Sequence, residues 1–336
     1  MASPVSPAAQ AASPWRFCVA PMLDWTDRHC RYFLRLISRQ ARLYTEMVVA
    51  SALAHGAAPK LLPFDPAEHP VALQLGGSDP AVLAVAARLG ANYGYDEINL
   101  NCGCPSERVQ TGSFGACLMA EPAKVADCVR AMRDAVAVPV TVKHRIGLER
   151  DDDYGFVRDF VGTVADAGCR VFVVHARNAI LKGLSPKENR EIPPLRYDVV
   201  HRLKSDYPAL SFVLNGGLAT WPQIDAELAR FDGVMLGRAA YHDPYLLAAV
   251  DARVSGAAEP PPTRADVAGA LRAYAAACAR GGTPVRLIAR HALGLFHGVP
   301  GARHYRRILS DPGRLAAAGP EIFVEALAAI EREVRA

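Results

Sequence analysis

From Phe17 to about residue 250 the chain alternates short, almost wholly apolar runs with longer segments in which apolar residues recur every three to four positions. The short runs are 17–20 (FCVA), 42–47 (RLYTEM), 71–76 (VALQLG), 97–101 (EINLN), 138–144 (VPVTVKH), 170–176 (RVFVVHA), 210–216 (LSFVLNG) and 233–237 (GVMLG). Segments of helical period lie between most of them, among them 79–91, 121–136, 154–168 and 220–231. Strands apolar on both faces, each followed by a crossover, belong to a parallel sheet covered on its outside. Eight of them predict a closed (β/α)8 TIM barrel, with a doubly wound open sheet as the alternative.

Past this region the pattern changes. Residues 255–263 (SGAAEPPPT) interrupt it with proline, and the chain beyond them is rich in Ala, Leu and Arg. This predicts a barrel domain over 15–254 and a small all-helical domain over 255–336. Residues 1–14 (MASPVSPAAQAASP) have neither a basic start nor an apolar centre, so a disordered extension is expected there and not a secretory signal. No apolar run reaches the ~18 residues of a membrane span, and a monomeric cytoplasmic protein is expected.

Charge adds one feature. The net charge is +4, but residues 252–336 hold 12 Lys/Arg against 7 Asp/Glu, whereas 1–251 hold 26 against 27. A polyanionic partner such as RNA accounts for a basic tail, and so does a solvated helical surface. The eight cysteines are scattered, with no CxxC pair and no histidine spacing that completes a zinc site. Reduced thiols and no metal are expected.

The candidate chemistry gathers at the C-terminal ends of the strands: Pro21-Met22, Gln74, Asn99 and Asn101, Lys143, His175 and Arg177, Asn215-Gly216-Gly217, and Gly237-Arg238. In a barrel these ends share one rim, where the active sites of this fold lie. The glycines after strands 7 and 8 suit a phosphate, with Arg238 as a charged fork. Lys143, one of 6 lysines against 32 arginines, ends an apolar strand. It suits a Schiff base, a phosphate contact or charge stabilisation on a cofactor ring.

The motifs APMLDWTDRHCRYFLR, LYTEMV, HPVALQLGGSDP, YDEINLNCGCPSERVQTGSFGACLM, SPKENREIPPL and DGVMLGRAAYHDP resemble those of tRNA-dihydrouridine synthases of the A subfamily, from about residue 16 to the end. The resemblance implies an FMN-dependent barrel with a C-terminal helical RNA-binding domain. The implied reaction reduces uridine to 5,6-dihydrouridine in the tRNA D-loop, at positions 20 and 20a, with NADPH as electron source. The implied FMN contacts fall on Pro21, Met22, Leu23, Gln74, Lys143, His175, Asn215, Gly216, Gly217, Gly237 and Arg238.

Cys104, in the motif NCGCP, is the implied proton donor. Uracil takes a hydride at C6 and a proton at C5, and a thiol of pKa about 8.5 is still protonated near neutral pH. Cys102 stands where a small aliphatic residue is expected and reads as a buried space-filler; His144 stands where threonine is expected. On the RNA side, Asn101, Lys187 and Arg190 of the 184–197 stretch, and Arg303 and Arg306 in the tail are expected to touch tRNA. The rival readings are an FMN barrel acting on a free pyrimidine such as dihydroorotate, a lyase using Lys143 as a Schiff base, and a non-catalytic tRNA-binding scaffold. The basic tail and the SPKENREIPP stretch count against the first.

Overall fold

The computed structural model describes residues 13–150 and 153–335, so the predicted N-terminal extension, up to residue 12, lies outside the described residues. Eight parallel strands close into a barrel in chain order: β1 Phe17–Val19, β2 Arg42–Val49, β3 Val71–Gly76, β4 Glu97–Cys102, β5 Val140–Arg145, β6 Val171–His175, β7 Ser211–Asn215 and β8 Gly233–Leu236. β8 returns to β1 through the pairs Val234 with Phe17, Met235 with Cys18 and Leu236 with Val19, which excludes the open sheet. Every strand falls on an expected apolar run. The differences lie at the ends, where β2 continues to Val49 and β5 to Arg145.

Side-chain alternation divides each strand between two cores. In β4, Glu97, Asn99 and Asn101 point into the barrel, while Ile98, Leu100 and Cys102 enter the layer beneath the helices. The inner apolar cluster is small, formed by Cys18, Ala20, Tyr44, Ala72, Val171, Val173, Val213 and Met235. The outer one is large and runs without a break into the C-terminal helices. The crossovers include the expected helices Pro80–Asn92, Pro122–Ala135, Tyr154–Asp166 and Trp221–Leu228, and also Arg28–Ile37 and Tyr197–Asp206. Asp27, Asp79 and Asp153 open three of these by accepting backbone N–H groups of the first turn.

The chain leaves the barrel through the helix Val250–Ser255, which stops at Gly256 in the left-handed region (φ 68°). It crosses the Pro-rich stretch and starts the helix Arg264–Arg280 with a capping box of Thr263 and Asp266. This helix docks on Arg28–Ile37: Tyr274 stacks on Tyr32 with ring centroids 3.8 Å apart, and its hydroxyl lies 2.8 Å from His29 Nδ1. Arg290 pairs with Asp27 at 2.6 Å, and His291 meets the same carboxylate at 3.1 Å. Burial alone would raise the pKa of Asp27, but these partners hold it well below the usual carboxylate range. No helix among the described residues is long and apolar enough to cross a membrane.

Candidate active site

β4 carries the chain to the barrel mouth and ends at Cys102, which faces outward, is fully buried, and has its thiol pKa pushed well up by that burial. The chain then turns and presents Cys104, half-buried, at the rim. Four hydrogen bonds hold the turn. Asn101 Oδ1 accepts the N–H groups of Gly103 and Cys104, each at 3.0 Å. Arg145 Nε donates to Gly103 O at 3.0 Å, and Ala116 N–H donates to Cys104 O at 2.9 Å. Gly115 (φ 80°) leaves room for this, since a Cβ there would lie 2.6 Å from Cys104 O.

Across the mouth, Lys143 donates to Asn215 Oδ1 at 3.0 Å, and Asn215 Nδ2 donates to Met235 O at 2.8 Å. One asparagine thus fixes the lysine and ties β5, β7 and β8 together. Desolvation of the half-buried Lys143 ammonium, helped by repulsion from Arg145, pushes its pKa down to about 7, while a Cys104 thiolate would pull it back up. His175 ends β6. Desolvation drives its pKa well below the ordinary value, and Arg145, Lys143, Arg177 and Arg190 all push the same way. Four cations within reach of one neutral imidazole make this mouth attractive to an anion.

The glycines beside it form a cradle. Gly216 and Gly217 have φ of 117° and 73°, and a Cβ would lie 2.9 Å from His175 Cδ2 at the first and 2.4 Å from Leu195 Cδ1 at the second. Tyr197 OH donates to Gly216 O and steadies the loop. Gly237 leads into the short helix Arg238–His242, and Arg238 pairs with Glu191 at 2.5 Å. On the β1 loop Pro21 and Met22 are half-buried and Leu23 is 68 % exposed. Met22 N–H donates to Thr26 Oγ1 at 2.9 Å. Gln74 is buried in β3 between Asn99 and Asn101.

The residues expected to touch RNA separate into three places. Asn101 is buried, with its carboxamide engaged by Gln74 and the Cys104 turn, so it faces the loop and not the open rim. Lys187 and Arg190 are exposed on the loop that follows β6. Arg303 and Arg306 are exposed on the helix Ala302–Ser310 of the tail. Together with His297, Gly298, Gly301 and His304 they line a surface concavity of about 500 Å³.

Two site residues escape a reading of the sequence. Arg145 is buried, and besides Gly103 O its guanidinium donates to Asn178 O and Asn189 O, both at 2.9 Å. It lies two positions beyond Lys143, so strand alternation is a usable signal that both face inward. Asn189 is fully buried and staples the 184–197 loop, donating to Ile180 O at 2.9 Å and accepting from Ile180 N–H at 2.8 Å. An asparagine in a polar loop gives no such signal in sequence.

His144 lies behind the site, fully buried between Phe160 and Phe172, with Nδ1 2.6 Å from Arg145 O and no partner for Nε2. Burial pushes its pKa down to about 4. Between that value and the ~6.5 of an unfolded histidine, only the unfolded chain binds the proton, so stability falls as pH drops. His144→Thr removes this term. Comparing urea unfolding at pH 7 and pH 5, the variant is expected to gain about 2 kcal/mol on the wild type. Stabilities that fall in parallel would reject a neutral buried imidazole.

Among the described residues no group of three or more His, Cys, Asp or Glu is placed to hold a metal. Fold and rim together put the protein among the (β/α)8 barrel enzymes, which work at the C-terminal mouth. More narrowly, the chain belongs to the dihydrouridine synthase family, whose sequence profile matches residues 18–332. It is 58 % identical over 312 residues to a tRNA-dihydrouridine(20/20a) synthase of Pseudomonas putida, covering 93 % of each chain. It is 54 % identical over 313 residues to the protein of that name from Escherichia coli K12, covering 93 % of this chain and 90 % of that one. Among solved structures, 2-naphthoyl-CoA reductase in complex with 2-naphthoyl-CoA shares the fold, with a TM-score of 0.53 and 11 % identity. That match covers 70 % of this chain, which spans about half (49 %) of the reductase chain.

Proposed function

We propose that this protein reduces uridine to 5,6-dihydrouridine in the D-loop of tRNA, at the positions 20 and 20a named for its relatives, with FMN held at the barrel mouth and NADPH as electron donor. The observation that carries this reading is the convergence of a rim thiol with Lys143 and Arg145: Arg145 Nε holds Gly103 O beside Cys104 at 3.0 Å, and Lys143 lies opposite Asn101, which holds the same turn, in the β4–β5 ladder.

The residues fit FMN. Gly216 and Gly217 carry positive φ where a Cβ would strike His175 and Leu195, and the bare backbone of this turn would let its N–H groups approach a phosphate, with Gly237 and Arg238 beside it. Burial, with Arg145 second, pushes the Lys143 pKa down to about 7, and an electron-rich ring beside it would favour the ammonium. Pro21, Met22, Gln74, His175 and Asn215 would bound the ring system, and a bound cofactor would cover part of the exposed Leu23. The chemistry that FMN would supply there, when bound and reduced, is the hydride for uracil C6.

The chain's own residues do the rest. Cys104 holds a proton and delivers it to C5, and Asn101 and Arg145 aim the thiol by gripping its loop. The uracil must leave the tRNA stack to reach this mouth. Lys187 and Arg190 take phosphates beside the opening, and Arg303 and Arg306 take phosphates further along the RNA. Residues 15–254 carry the chemistry and 255–336 hold the RNA, in a monomer acting in the cytoplasm. Asn101 acts on the base through the Cys104 loop.

The test has two parts. The purified protein is expected to be yellow and to release FMN, not FAD, on denaturation. Expression in a strain lacking its own enzyme is expected to restore dihydrouridine at both positions, read by nucleoside mass spectrometry and mapping. A colourless protein that takes up no added FMN overturns the flavin reading. Unmodified tRNA in the complemented strain overturns the substrate reading.

A further inference from the structure

Barrels of this fold usually fill their interior with branched apolar side chains. Here one side of the interior is apolar, and the other is a file of polar side chains that crosses β3, β4 and β5. Thr141 Oγ1 donates to Glu97 Oε1 at 2.5 Å, and Asn99 Nδ2 donates to Thr141 Oγ1 at 2.7 Å. Gln74 Nε2 donates to Asn99 Oδ1 at 2.7 Å, and Asn101 Nδ2 donates to Gln74 Oε1 at 2.8 Å. Asn101 Oδ1 then accepts from Gly103 and Cys104. The file climbs four residues of β4, about 13 Å of barrel height. Among the described residues, none of its side-chain N or O atoms lacks a partner.

Its ends determine its direction. Each interior link has both a donor and an acceptor, so a hydroxyl or an amide can sit in the chain either way round. The lower end is Glu97, fully buried, whose oxygens face four donors: Thr141, Trp15 Nε1 at 2.7 Å, Tyr44 OH at 2.8 Å and Arg42 Nη1 at 3.2 Å. A carboxylate among four donors only accepts. The upper end is two backbone N–H groups, which only donate. Both ends select the same polarity, with every donor pointing down and every acceptor pointing up.

We propose that Glu97, Thr141 and Asn99 are positioning residues for the proton-donating thiol. The Glu97 carboxylate at the barrel floor sets the orientation of the Asn99, Gln74 and Asn101 carboxamides, and so presents Asn101 Oδ1 to the turn that carries Cys104. This rests on the reading of Cys104 as proton donor. If the chain is cut at Thr141, Asn99 loses its acceptor and its carboxamide is free to turn over. With Glu97 disconnected, only the Gly103 and Cys104 N–H groups still hold the polarity, so an inversion that spreads through Gln74 to Asn101 and sets an NH2 against those N–H groups becomes populated and loosens the turn.

Thr141→Val keeps the side-chain shape and removes the hydroxyl. In the full-length holoenzyme, hydrogen exchange at the Gly103 and Cys104 amides is expected to speed up about tenfold, the scale of one lost hydrogen bond. The kcat for dihydrouridine formation is expected to fall by about the same factor with KM for tRNA unchanged. Thr141→Ser restores both. Asn99→Asp keeps the acceptor facing Gln74 and is expected to leave the two amides protected, which tests the polarity argument should the valine variant not fold. Native exchange in Thr141→Val overturns the proposal, as do a serine variant that behaves like valine and an Asn99→Asp variant that loses protection. If Thr141→Val loosens the two amides while Cys104→Ala works at the wild-type rate, the positioning role stands and the proton-donor reading falls.

Discussion

Cys104→Ala is expected to slow dihydrouridine formation by about 10² to 10⁴, the usual contribution of a general acid, while cofactor content and NADPH oxidation stay near wild type. The geometry separates these steps. Cys104 stands on the turn after β4, whereas the glycine cradle follows β7 and β8, so the alanine variant keeps the cofactor's grip. Cys102→Ala is the matched control. That thiol is fully buried on the helix side of the barrel, and its loss is expected to cost about 1 kcal/mol of stability without touching the rate. Single-turnover reaction of the reduced enzyme with unmodified tRNA, followed by nucleoside analysis, measures the proton-dependent step directly. Opposite phenotypes in the two variants would move the acid to the wrong side of the barrel wall and end the assignment.

The second large effect concerns RNA. Replacing Arg303 and Arg306 together by alanine is expected to lower the slope of log affinity against log salt by about two units, because each lost phosphate contact releases about one counterion fewer. Both guanidinium groups are exposed on a helix led by Gly301 (φ 80°), and no acid occupies its first turn. Affinity across a salt series, measured beside flavin reduction by stopped flow, is expected to change while flavin reduction does not. An unchanged slope would transfer the grip to Lys187 and Arg190. The double substitution is a cleaner test than deleting residues 256–336. The tail shares its apolar core with the barrel through Tyr274 on Tyr32 and is clamped to Asp27 by Arg290, so deletion would expose a wide apolar face.

Much of the barrel is legible in one dimension because strand and helix periods are local properties. Each of the eight apolar runs forms a strand, and their C-terminal ends define the rim. The strand-end residues Gln74, Lys143, His175 and Asn215 are legible for the same reason. Arg145 is harder to see, although the alternation that places Lys143 places it too. The difference is one of residue type: a lysine ending an apolar strand stands out in a chain with 32 arginines, and an arginine does not.

Asn101 shows the limit more sharply. Its position in the chain put it next to the Cys104 loop and suggested a contact to RNA, whereas closure of the barrel brings Gln74 from β3 beside it, a pairing that no single strand reveals. Element order, the parallel strands and the rim are properties of the linear chain, since they follow from periodicity and from alternation along a single strand, whereas closure was decided by the pairing of β8 with β1. Three-dimensional packing chose the rest: which polar residues pair across strands, which cations surround His175, and how the tail is clamped to the barrel. Those contacts join residues far apart in the chain, and their partners are chosen by barrel closure and by the need to satisfy every buried donor and acceptor.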